Sequence, residues 1–185
     1  VMRSIPRMKV FQPSTPILTK KIIKHCIQLN GPCYVRVARN EVPEIYDDNL
    51  EFVEGDVIGE VNEDDVVLIS SGPMLHNSIY ASTLLKEEHG INVGCIDVPS
   101  FNPFNSEKFL KKIEKAKYLF SVEDHMIQGG LGSLIAESLS SSDVRTKLYI
   151  KGLDQFVGSG KPADLEKKYL LDSFSIVDFV LSNLK

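Results

Sequence analysis

A chain of 185 residues, 43% hydrophobic and 25% charged, has the material for one α/β domain, or for one domain and part of another. Its net charge of -4, isoelectric point near 5.6 and lack of any lysine/arginine block exclude a nucleic-acid surface. No apolar run is long enough to span a bilayer or to serve as a secretory core, and the scattered thiols of Cys26, Cys33 and Cys95 form no CxxC pair, which points to a reduced, cytoplasmic protein.

The chain opens Val-Met-Arg-Ser-Ile-Pro and reaches an apolar, strand-like run almost at once, as expected of a piece cut from a longer polypeptide. Met8 to Phe11 reads as a strand that Pro13 ends. Ser14 or Thr15 caps a helix with Pro16 in its first turn. The helix carries Ile17, Leu18, Ile22, Ile23, Cys26, Ile27 and Leu29 on an apolar face, with lysines and His25 opposite, until Asn30-Gly31-Pro32 stops it. Cys33 to Ala38 alternates as a strand should, so the first module is β–α–β with parallel strands. Glu41 to Asp65 is acidic, holds Pro43, Gly55 and Gly59, and lacks a helical period. A domain boundary is expected within it, with a small strand near Asp56–Glu60.

The second module repeats strand and helix. Val66–Ile69 is an apolar strand, followed by a helix through Leu75, Ile79, Ala81, Leu84 and Leu85 that Gly90 ends. Ile91–Asp97 is a strand, Val98 to Asn105 a loop, and Ser106 caps a helix through Phe109, Leu110 and Ile113. A strand Tyr118–Val122 then runs through an acid-rich turn and a glycine cluster into a helix reaching about Leu139. Lys147–Ile150 forms a further strand, Ala163–Tyr169 a short helix, and Leu171-Asp172-Ser173 caps a last helix through Phe174, Val177, Val180 and Leu184. Strands alternating with helices predict a three-layer α/β/α sandwich around a mainly parallel, mixed sheet.

Within Ser121–Glu137, glycines 129, 130 and 132 allow a sharp turn and a close approach of helix to sheet. The same turn, with free N–H groups at a helix start, also has the makings of an anion site. Glu123, Asp124 and His125 make a poor metal site, because three consecutive turn residues do not converge on one ion. The acids are expected to satisfy backbone donors at the turn, with one of them holding His125. Gly158-Ser159-Gly160-Lys161 fails as a P-loop, since Gln155 stands at the first glycine position and Pro162 where Ser or Thr must bind magnesium. Arg36 and Arg39 close a strand at the carboxyl edge of a parallel sheet, where α/β proteins place ligands. At Arg39 two readings stand: a guanidinium for a substrate phosphate, or an ion pair with Glu41 or Glu44.

Four segments together, Met2–Ser14 (MRSIPRMKVFQPS), Tyr34–Asp48 (YVRVARNEVPEIYDD), Val122–Gly132 (VEDHMIQGGLG) and Phe156–Leu165 (FVGSGKPADL), resemble the carboxyl-terminal half of transketolase across nearly the whole chain. The resemblance implies that residues 1–45 are the terminal β–α–β piece of a pyrimidine-binding domain, 46–60 a linker, and 61–185 the transketolase carboxyl-terminal domain. It implies an enzyme using thiamine diphosphate and magnesium at a dimer interface, moving two-carbon ketol units between sugar phosphates. The upstream diphosphate- and pyrimidine-binding domains would be its partners, with neither nucleic acid nor membrane involved. Arg39, in VARN, matches the arginine that contacts the sugar phosphate in that family. The catalytic, cofactor and metal residues would lie upstream of Val1, so this stretch alone is expected to be inactive and to bind no cofactor. Relatives sharing this domain, namely deoxyxylulose-phosphate synthase and the 2-oxo acid dehydrogenase β subunit, are the alternatives, as is a non-catalytic dimerisation or regulatory module.

Overall fold

The computed structural model describes residues 1–61 and 65–184. Residues 62–64 near the start and Lys185 at the end of the expected carboxyl-terminal domain lie outside the described residues. The chain begins with β1 (Lys9–Phe11), α1 (Pro16–Gln28) and β2 (Cys33–Val35), and β1 and β2 pair in parallel as the β–α–β pattern predicts. Thr15 caps α1, its hydroxyl accepting from the Leu18 amide. Only Leu18 and Ile22 of the helix are buried, and Ile27 stays 78% exposed. The second strand is shorter than the expected Cys33–Ala38. Its last ladder bond runs from the Arg36 amide to the Phe11 carbonyl, and beyond it Pro13 offers no N–H to continue.

The remaining elements are β3 (Val66–Ser70), α2 (Met74–His89), β4 (Val93–Asp97), β5 (Ser100–Asn102), α3 (Ser106–Lys112), β6 (Tyr118–Met126), α4 (Leu131–Ser140), β7 (Lys147–Leu153), α5 (Pro162–Lys168) and α6 (Ser173–Asn183). Four of the strands form a wholly parallel sheet in the order β4-β3-β6-β7. Every residue of β3 is buried, because side chains alternate between two covered faces. Val66 and Leu68 enter a core with Leu85 of α2 and Ile176 and Val180 of α6. Val67 and Ile69 enter the opposite core with Phe109 of α3 and Leu134 and Ile135 of α4. The result is the expected three-layer α/β/α sandwich.

Three local readings change. The segment expected to be all loop between Val98 and Asn105 contains β5, which pairs antiparallel with β1 and makes a second sheet of order β2-β1-β5. Asn105, not Ser106, caps α3, its side chain accepting from the Lys108 amide. Finally, β6 runs to Met126, so Glu123, Asp124 and His125 lie on a strand rather than a turn. Near the expected small strand at Asp56–Glu60 there is a single antiparallel bridge between Ile58 and Asp97. A third core joins Phe11, Leu18 and Ile22 to Tyr46, Leu50, Phe52 and Ile58, so the expected linker packs over the first module.

Candidate functional site

The carboxyl ends of β1, β2, β3 and β6 border a cleft of about 490 Å³, to which Phe11, Arg36, Ser71 and Met126 contribute. Parallel strands put ligand sites at this edge, since successive strands there leave diverging connections and free backbone groups. Arg36 crosses the cleft to Asp124, with Nη1 at 2.5 Å from Oδ1 and Nη2 at 3.0 Å from Oδ2. This fork-to-fork pair joins residues 88 apart in sequence and ties the first module to the second. Gln12 adds a donor to the same carboxylate at 3.3 Å. Arg3 spans the other side, donating to the Gly129 carbonyl at 3.2 Å and pairing with Glu137. These cations are therefore committed to partners within the chain.

Glu123 is only 4% exposed, and its carboxylate accepts from the amides of Leu131 at 2.8 Å and Gly132 at 3.0 Å. The chain thus fills its own anion-receptive helix start with its own carboxylate. Alternation along β6 turns Asp124 away toward Arg36, and His125 bonds the Met126 carbonyl through Nδ1 instead of the expected acid. Burial pushes the Glu123 carboxyl up to about 7, although both amide donors act to hold it down. Among the described residues no cluster of His, Cys, Asp and Glu could hold a metal ion. The glycine-rich Gly158–Lys161 run leads into α5 with Pro162 at its first position, as a turn before a helix requires.

The structure separates the two arginines that the sequence pairs. Arg36 is consumed by Asp124, whereas Arg39 stands exposed in the loop after β2 and makes no ion pair among the described residues. Among the described residues Arg39 pairs with neither Glu41 nor Glu44, the partners expected in its other reading, and Glu44 is engaged elsewhere. Its Oε2 accepts from the Ile17 amide at 2.8 Å, at the start of α1, and its Oε1 from the Ile45 and Tyr46 amides. Burial would raise the Glu44 carboxyl, but these donors hold it below the ordinary range.

Sequence reasoning missed the buried centre beneath this loop. The Tyr46 hydroxyl donates to Asp97 Oδ2 at 3.0 Å, and the Ser14 hydroxyl to the same oxygen at 2.5 Å. Asp97 is 1% exposed, its Oδ1 has no hydrogen-bond partner among the described residues, and burial pushes its carboxyl up to about 7. The available signal was a carboxylate closing an apolar strand, Gly94-Cys95-Ile96-Asp97, at the carboxyl edge of the sheet. His76 bonds the carbonyl of Ser14, the residue whose hydroxyl donates to Asp97, at 2.8 Å.

Fold and site together define a three-layer α/β/α domain clamped by an ionic bridge to a small β–α–β unit, with Arg39, unpaired among the described residues, exposed in the loop after β2. Residues 55–176 match the transketolase C-terminal domain, and the chain belongs to that family. It is 34% identical over 184 residues to one of the subunits of the apulose-4-phosphate transketolase of Actinobacillus succinogenes, covering 98% of this chain and 59% of that protein. Against the Homo sapiens transketolase it is 30% identical, covering 97% of this chain and 29% of the relative. A split gene transketolase solved as an inactive beta4 tetramer superposes with a TM-score of 0.91 at 29% identity, over 99% of this chain and 60% of that one. The chain therefore spans about three-fifths of the length of the split relatives and under a third of the human one.

Proposed function

We propose that this chain is the carboxyl-terminal part of a thiamine-diphosphate-dependent transketolase that moves two-carbon ketol units between sugar phosphates, with Arg39 binding the substrate phosphate. The observation that carries the reading is the exposed guanidinium of Arg39, which makes no ion pair among the described residues, in the loop that follows β2, three residues beyond an arginine already committed to Asp124. A planar fork of donors suits a phosphate bidentately. Phosphate binding remote from the reacting carbons supplies energy for orienting the sugar.

The proposed division is residues 1–45 as the end of a pyrimidine-binding domain, 46–60 as linker and 61–185 as the carboxyl-terminal domain. The family match over residues 55–176 supports the last of these. The partners proposed are the upstream diphosphate- and pyrimidine-binding domains, in a cytoplasmic homodimer. The relative from Actinobacillus succinogenes, itself a separate transketolase subunit, supports such a division of labour.

Bound thiamine diphosphate would supply the carbanion chemistry, and magnesium would neutralise its diphosphate. The residues described here do not fit that group. They present no metal-binding cluster, and the helix start best suited to a diphosphate is closed by Glu123. In this reading the cofactor is held entirely by the partner domains. Isothermal titration calorimetry tests it: the chain alone should give no heat with thiamine diphosphate and magnesium, and the chain assembled with its upstream portion should bind and turn over. Tight magnesium-dependent binding to the chain alone would overturn the reading.

A further inference from the structure

The loop carrying Arg39 is tied at both ends. Before it, Arg36 is bonded to Asp124 by both nitrogens of its fork. After it, Glu44 accepts from the first turn of α1, and the Tyr46 hydroxyl reaches across to Asp97 on β4. Asp97 in turn holds Ser14, next to the Thr15 cap of α1, and its backbone exchanges two 2.9 Å hydrogen bonds with Ile58. Arg39 itself pairs with none of these groups and is exposed. An exposed long side chain on an unanchored loop would sample many positions, and fixing it before substrate arrives lowers the entropy lost on binding.

We infer that Tyr46, anchored on the buried carboxylate of Asp97, is a positioning residue that sets the Arg39 loop for the sugar phosphate. The inference rests on the phosphate role proposed for Arg39 and adds a residue that touches no substrate. Burying the Tyr46–Asp97–Ser14 cluster gives the loop end a fixed point on the sandwich domain, because a carboxylate with two hydroxyl donors on one oxygen has a defined direction. The anchor and the arginine lie seven residues apart, and Glu44 ties the loop between them to the start of α1 through the Ile17 amide.

The test uses the assembled enzyme and compares a phosphorylated aldose acceptor with its unphosphorylated counterpart. Tyr46→Phe keeps the ring and removes the hydroxyl. It should raise KM for the phosphorylated acceptor by about fivefold, the scale of one ordinary hydrogen bond, with kcat and the unphosphorylated KM unchanged. In an Arg39→Ala background the same change should add nothing, since the anchor then positions no phosphate ligand. Asp97→Ala removes the acceptor from the other side and should shift selectivity in the same direction. Equal effects on both acceptors, or additive effects with Arg39→Ala, would overturn the inference and leave Tyr46 a stability residue. If Arg39→Ala alone leaves selectivity unchanged, the phosphate reading itself falls. If Arg39→Ala shifts selectivity and Tyr46→Phe does not, only the positioning role falls.

Discussion

Gly130→Ala is expected to destabilise the protein by about 3 kcal/mol or more, lowering Tm by roughly 6–12 °C for a chain of this size. A Cβ at this position would stand 1.8 Å from Glu123 Oε2, 2.7 Å from the carboxyl carbon and 2.8 Å from the Met126 carbonyl oxygen. Neither neighbour can yield cheaply. The carbonyl belongs to the strand backbone, and the carboxylate is held by the amides of Leu131 and Gly132. Relief would require breaking those bonds, and a buried amide without a partner costs about 1–3 kcal/mol. Gly31→Ala is the control, because nothing lies within 4 Å of its added carbon. Thermal unfolding of the two variants decides the matter. A Gly130→Ala melting temperature within about 2 °C of the parent would show that the helix start is not packed as described.

Stability should fall as pH rises from about 5 to 8, by an amount on the order of 5 kcal/mol. Glu123 and Asp97 both sit at about 7 in the folded chain, well above ordinary carboxyl groups, chiefly through burial. Between the ordinary carboxylate range and about 7, the folded chain keeps protons that the unfolded chain has released. The slope of stability with pH is therefore negative there. The contribution is complete below the unfolded pKa values and lost once pH has risen through the folded ones. Glu44, Glu54 and Asp172 are held below their ordinary range by hydrogen bonds that outweigh burial, so their stabilisation is lost only in acid. The two groups of carboxyls together place the optimum near pH 5. Each displaced pK unit corresponds to about 1.4 kcal/mol, so Glu123→Gln and Asp97→Asn should each flatten the profile measurably. Urea unfolding across this range is the check, and stability that stays level or rises from pH 5 to 8 would contradict the assignment.

What could be read from sequence were the features that local chemistry decides. Thr15 and Asp172 announce helix starts through a hydroxyl and a carboxylate placed for free amides, and Gly90 ends α2 in the left-handed region at φ 67°. The unbroken apolar run of β3 announces a strand covered on both faces. What could not be read depends on partners far along the chain. The strand β5, flanked by Pro99 and Pro103, exists because β1 offers it an edge. Arg36 and Arg39 look alike in the sequence, and they differ because Asp124 arrives from the other module to claim only the first. Asp97 carries no motif at all, and its importance appears only when Tyr46 and Ser14 fold over it.

The phosphate role of Arg39 is tested most directly by the kinetics of Arg39→Ala in the assembled enzyme. Losing a charge-assisted contact made only to the phosphate should lower kcat/KM for a phosphorylated acceptor by roughly 10- to 100-fold and leave the unphosphorylated acceptor within about twofold of the parent. An equal loss for both acceptors, or no loss for either, would contradict the role proposed for Arg39.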